Sequence, residues 1–244
     1  MNPNFLQVIR VGLIVMATFS HVQPLLSDEV SPESGVSPVH LFILSGQSNM
    51  AGLDPDISFI PAVQADLGEE NVLVVKDAQS GQPIRRWVHG WKGPDGNTPE
   101  STGDLYNRLL AKVRNQLAKR PLKSVTFVWM QGERDAREKL AEVYKESFLK
   151  LIGQLESDLH FTPVQAVIGR LSDFDMTDSK YPHWTKIRSC QESLAHDSAS
   201  ISLVNTDDLN GPKDDLHYDK DGYRVLGQRF AEAALKAVSA PAKK

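Results

Sequence analysis

The chain has 244 residues and a single cysteine, Cys190. One cysteine excludes an internal disulfide and any cysteine-built metal cage, and a chain of this length can stand on buried apolar surface without such staples. An excess of base is missing too: 27 Lys and Arg against 31 Asp and Glu leave a net charge of −4. No global positive field is available to hold a phosphate backbone, so no nucleic-acid partner is expected. Internal repeats, His-Glu-x-x-His and Cys/His zinc spacings are absent. The segment His217-Tyr-Asp219-Lys-Asp221-Gly222 imitates the start of a calcium loop but has His at the first ligand position and Gln228 at the twelfth, which a hard cation does not accept. No metal and no other cofactor is expected.

Long apolar runs are scarce as well. Val11 to Ser20 is apolar, ends on small residues and follows a segment whose single charge is Arg10. It is much shorter than the ~20 apolar residues of a membrane span. The pattern is that of a signal peptide over residues 1–20, with Thr18 and Ser20 as the small cleavage positions, and an uncleaved anchor starting near Phe5 is the alternative. A secreted or periplasmic location follows, with no membrane span in the mature chain. Residues 21–37 are rich in Ser, Pro and acid without a period and suit a flexible lead. Residues 38–240 are expected to form one domain.

What is present from residue 39 onward is a regular alternation. Short continuous apolar runs occur at Val39–Ser45, Val72–Lys76, Val125–Gln131, Val164–Arg170 and Ile201–Asn205. Runs without polar alternation suit strands buried on both faces of a parallel sheet. Between them, Asp104–Lys119, Arg137–Leu159, His183–His196 and Tyr223–Val238 carry apolar residues three or four apart, the helical period. Strand, crossover helix and strand repeated give an α/β fold, a three-layer α/β/α sandwich with about five parallel strands.

Ligand sites in such sheets lie at the carboxyl ends of the strands. There the sequence carries Gly46-Gln-Ser48-Asn-Met-Ala-Gly52 after the first run and Gln79-Ser-Gly81-Gln-Pro-Ile-Arg85-Arg-Trp87 after the second. Gln131-Gly-Glu133-Arg-Asp135 follows the third, and Asp214-Asp-Leu-His217 stands past the last. A serine hydroxyl is a weak nucleophile until a neutral imidazole takes its proton, and the imidazole needs a carboxylate to fix its tautomer. Ser48, His217 and Asp214 supply that set, and the backbone N–H groups of Ser48 and Gly81 with the Gln131 amide are candidate donors to a developing oxyanion.

These motifs together resemble the SGNH/GDSL-type hydrolases, and more narrowly the sialate O-acetylesterase and acetylxylan esterase branch grouped as carbohydrate esterase family six. The resemblance spans about residues 39–236. It implies a flavodoxin-like SGNH fold and metal-free removal of acetyl groups from carbohydrate hydroxyls through an acyl-enzyme. Ser48 is then the nucleophile, His217 the base and Asp214 its orienting partner. The general pattern has Asn in its third block where this chain has Gln131-Gly-Glu133, so either Gln131 or Glu133 faces the oxyanion. Charge favours Gln131, with Glu133 and Asp135 bracing the loop and Gln47 and Asn49 supporting the nucleophile. Arg85 and Arg86 are candidate forks for a sugar carboxylate, and Trp87, Trp91 and Trp184 candidate stacking platforms.

Other readings remain at this level. Gly46-Gln-Ser48 fits an ordinary strand-to-helix turn, and Asp214–His217 a solvated acidic helix cap. Glu133 and Asp135 imitate a glycosidase pair, but residues two apart after a strand diverge. A carboxylesterase of small acyl esters and a secreted carbohydrate-binding protein with a dead triad are the alternatives to acetylated carbohydrate as substrate.

Overall fold

The computed structural model describes residue 1 and residues 37–211 and 216–239. The expected signal peptide (1–20) and nearly all of the lead (21–37) lie outside the described residues, as does Asp214. Among the described residues the first elements are β1 (Val39–Gly46), the short helix α1 (Ser48–Gly52), α2 (Phe59–Leu67) and β2 (Val72–Ala78). It continues with α3 (Asp104–Leu117), β3 (Leu122–Met130), α4 (Glu133–Glu138), α5 (Ala141–Leu159) and β4 (Gln165–Gly169). It ends with α6 (Trp184–Asp197), β5 (Ile201–Val204) and α7 (Lys220–Ser239). The five strands form one sheet in the order β2-β1-β3-β4-β5, and every pair is parallel.

The apolar runs are strands for the reason their composition suggests. Successive side chains point to opposite faces of a strand, and both faces of this sheet are covered. Leu41, Ile43, Phe127 and Trp129 face one way, onto Leu109 of α3, Phe148 and Leu151 of α5 and Ile187 of α6. Phe42, Leu44, Val128 and Met130 face the other way, onto Phe59 and Val63 of α2 and Leu226 and Phe230 of α7. Each such side chain contributes roughly 1.5–3 kcal/mol by leaving water. The result is the expected three-layer sandwich. One expected helix is divided: the apolar period runs on from Arg137 to Leu159, but Lys139 adopts a left-handed φ of 62°, which ends α4 before α5 starts at Ala141.

The polar turns fall at the carboxyl edge. Gly46 ends β1 with φ +144°, and a Cβ there would stand 2.0 Å from the Met130 carbonyl oxygen. Only glycine lets β1 and β3 close together at this point, and the chain then turns directly into α1. Gln47 N–H donates to the Met130 carbonyl at 2.9 Å, fixing the turn to the neighbouring strand.

Candidate active site

Ser48 begins α1 at the mouth of the sheet and is half-buried. His217 arrives from the opposite end of the chain, in the connection between β5 and α7, and its Nε2 stands 3.1 Å from Ser48 Oγ. That is hydrogen-bond distance for a hydroxyl and an imidazole, the arrangement in which the ring can take the hydroxyl proton. A cavity of about 250 Å³ opens on this pair, lined by Gln47, Ser80, Gly81, Glu133, Arg134, Arg137, Tyr181 and Leu216 as well. Gly81 sits at its exposed edge with φ +69°, in the turn that follows β2.

The neighbours of Ser48 carry most of the local order. Asn49 is buried; its Nδ2 donates to Glu133 Oε1 at 3.1 Å and to the Leu216 carbonyl at 3.0 Å. Its Oδ1 accepts from the Tyr223 hydroxyl at 3.2 Å. One amide thus ties α1 to α4, to α7 and to the residue beside His217. Gln47 Oε1 accepts from Arg134 N–H at 3.1 Å and from Gln131 Nε2 at 3.3 Å.

Gln131 corrects the expectation for the oxyanion. Its side chain is fully buried, and Nε2 faces the Gln82 carbonyl at 3.1 Å, Gln47 Oε1 and Asp135 Oδ2. With its donors spent inside the protein it does not line the Ser48 cavity, and Glu133 does. Gln131 is therefore a brace between the β1 and β2 turns. Asp135 Oδ2 completes that brace by accepting Ile84 N–H at 2.9 Å, which anchors the segment behind Gly81.

Both carboxyl groups here are out of water. Burial pushes Asp135 up to about 7, against the lowering effect of the Gln131 and Ile84 hydrogen bonds. Burial also raises Glu133; its hydrogen bond from Asn49 and the nearby His217 charge pull the other way. His217 therefore has a buried carboxyl group within electrostatic reach.

The expected sugar contacts need correction as well. Trp87 is fully buried, its ring N–H donates to Ser45 Oγ at 3.1 Å, and it packs edge-on against Trp129 at 5.2 Å. Trp91 and Trp184 are buried too, so none of the three is a stacking platform. Arg85 pairs with Glu138, and Arg86 forks onto Asp104; neither lines the Ser48 cavity. Arg134 and Arg137 do, and nothing in their unpatterned, charge-rich segment marked them beforehand.

A larger cavity of about 660 Å³ lies between β5 and α7. Size does not make it the site: of its two acids Asp208 is held by Arg229 at 2.6 Å and Glu232 accepts from Gln228 at 3.3 Å, and no histidine lines it. Among the described residues no group of three or more His, Cys, Asp or Glu side chains is arranged to hold a metal ion, and no helix is long and apolar enough to cross a membrane.

Comparison with known proteins gives a family and a fold. Residues 51–236 match the family model described as carbohydrate esterase, sialic acid-specific acetylesterase; the match begins just after Ser48. A probable carbohydrate esterase of Arabidopsis thaliana is 24% identical over 214 residues, covering 86% of this chain and 73% of the relative. The solved structure of that plant protein superposes with a TM-score of 0.65 at 21% identity, covering 82% of this chain and 99% of the other. A carbohydrate acetylesterase from Xanthomonas citri gives 0.62 at 18% identity, with 81% and 56% covered. The carbohydrate acetylesterase Est24 from Sinorhizobium meliloti gives 0.55 at 15%, with 81% and 99% covered. With a family model matched over most of its length, the chain belongs to the sialic acid-specific acetylesterase family of carbohydrate esterases and is an esterase acting on acetyl esters.

Proposed function

We propose that this esterase removes O-acetyl groups from carbohydrate by a serine acyl-enzyme route. The observation that carries the reading is the 3.1 Å approach of His217 Nε2 to Ser48 Oγ at the floor of the cavity. His217 takes the Ser48 proton as Ser48 Oγ attacks the acetyl carbonyl carbon. The oxygen of the tetrahedral intermediate is held by the backbone N–H groups of Ser48 and Gly81, each such donor being worth roughly 3 kcal/mol in the transition state. The sugar alcohol leaves with the proton from His217, and water repeats the sequence to release acetate. Asp214 is the proposed partner of His217 Nδ1. The first step requires neutral imidazole, so activity falls on acidification as His217 takes up a proton.

The family description supports O-acetylated sialic acid as the first substrate class, with acetylated xylan or another polysaccharide second. Export with loss of residues 1–20 belongs to the same proposal and rests on the apolar run Val11–Ser20; N-terminal sequencing of the exported protein tests it. Acetate release from O-acetylated sialic acid and from acetylated xylan, with Ser48→Ala beside the wild type, tests the function. Release that disappears in the variant supports the reading. Release surviving the substitution, or a preference for butyrate over acetate esters, contradicts it.

A further inference from the structure

The connection between β4 and α6 is densely bonded for a segment with so many exposed residues. Asp175 is buried, and its carboxylate accepts from Ser179 N–H at 3.1 Å, Ser179 Oγ at 2.9 Å, Lys180 N–H at 2.8 Å and Tyr181 N–H at 2.6 Å. Burial works against that charge, but the bonds from Tyr181, Lys180 and Ser179 outweigh it and hold the carboxyl group below its usual range. Charge-assisted bonds of this kind are roughly twice as strong as neutral ones, and here they fix the chain up to Tyr181. The Tyr181 ring is held too. It meets Trp184 at 5.3 Å and Phe174 at 5.8 Å, both edge-on, and the buried Trp184 is anchored by its ring N–H on the Ser172 carbonyl at 2.7 Å. All this order ends in one half-buried ring, because Tyr181 lines the cavity that holds Ser48 and His217. Apart from the His217 imidazole it is the one aromatic ring lining that cavity among the described residues, and Leu216 adds apolar surface to the same lining.

We infer that Tyr181 is the platform on which the sugar ring of the ester packs, and so the residue that favours a sugar alcohol over a simple one. A pyranose is polar at its rim and presents C–H groups on its faces, and a flat aromatic ring meets such a face over a large contact area. A tyrosine already held by its neighbours loses little conformational freedom when a ligand packs on it. This recognition does not depend on any charge carried by the sugar. Tyr181 supplies what Trp87, Trp91 and Trp184 do not, since those three rings are buried. The inference rests on the proposed esterase reading and adds to it the residue that selects the alcohol half of the substrate.

The test measures kcat/KM for a mono-O-acetylated methyl glucoside and for ethyl acetate, in the wild type, in Tyr181→Leu and in Tyr181→Phe. Leucine keeps apolar volume beside Trp184 but has no flat face, whereas phenylalanine keeps the face and loses only the hydroxyl. The ratio of the glucoside value to the ethyl value should fall about tenfold in Tyr181→Leu, mostly through KM, and stay within about twofold of the wild type in Tyr181→Phe. A ratio unchanged in Tyr181→Leu overturns the inference, even if both rates fall, because the ring then only supports the cavity. A ratio that falls equally in Tyr181→Phe overturns it too, because the hydroxyl and not the face is then used. Saturation-transfer NMR with free methyl glucoside separates the two levels. If the wild type leaves both esters intact, the esterase reading fails, while transfer from aromatic protons to the sugar C–H protons that is present in the wild type and Tyr181→Phe and lost in Tyr181→Leu still supports the platform. Hydrolysis of both esters by the wild type, with transfer equal in all three proteins, overturns the inference and leaves the esterase reading standing.

Discussion

The two walls of the catalytic cavity are built differently. On the nucleophile side, the turns after β1, β2 and β3 are locked by buried groups: Gln47, Gln131 and Asp135 are all out of solvent and bond to one another, to the Gln82 carbonyl and to Ile84 N–H. On the base side, His217 comes from the connection between β5 and α7. The links there include the Asn49 bond to the Leu216 carbonyl and the isolated bridge between Asn210 and Tyr218. The nucleophile's position is thus a property of the core, and the base's position depends on a clamp. Damage to the first wall should appear as lost stability, and damage to the second as lost rate.

The largest effect on the first wall is expected from Gly46→Ala. A Cβ at 2.0 Å from the Met130 carbonyl, on a backbone at φ +144°, forces β1 and β3 apart at the turn. A loss of about 3–5 kcal/mol in denaturant unfolding is expected. Unfolding at wild-type denaturant would break the picture of a core-locked nucleophile.

Next comes Asp135, held at about 7 by burial against about 3.9 in the unfolded chain. Because the folded state keeps this proton where the unfolded state has released it, the contribution to stability is fully present below about pH 4. It is lost as pH rises towards 7. Asp135→Asn does not titrate, so the stability of the wild type relative to the variant should fall over that interval by up to about 4 kcal/mol. Parallel stability curves for the two proteins would show that Asp135 keeps its ordinary acidity.

Asn49→Ala sharpens the contrast from the other wall. It releases the Leu216 carbonyl and with it the seat of His217, and a misplacement of about 1 Å costs on the order of 100-fold in rate. That loss should fall on kcat, with a stability cost of only about 1–3 kcal/mol from the unpaired Glu133 oxygen. A stability loss without the kcat loss would mean that the clamp does not seat the base.

Much of this was legible in the sequence because two physical signals are local. In a run such as Val125–Gln131 the apolar residues follow one another without polar alternation, so both faces must be covered, and the five runs are the five strands. Ser48 and His217 were legible because chemistry at strand ends needs particular residue types. Other features were hidden for equally physical reasons. α4, with the sequence Glu-Arg-Asp-Ala-Arg-Glu, has no apolar stripe, since it buries Glu133 and Asp135 in place of leucines. Neither Arg137 nor the break at Lys139 leaves a periodic trace. In the sequence the amide of Gln131 looks available to substrate because two of its acceptors, on Gln47 and Gln82, are distant along the chain. Trp87 reads as a sugar contact in the sequence because its segment follows a strand, but that segment folds back so that the ring fills the core against Trp129.

The most direct test of the serine route is the covalent intermediate itself. Wild-type protein mixed with 4-nitrophenyl acetate, quenched with acid in the first turnovers and analysed by peptide mass should carry one acetyl group on the peptide containing Ser48, with none on the Ser48→Ala protein. An unmodified Ser48 peptide during steady turnover, with hydrolysis continuing in Ser48→Ala, would contradict it.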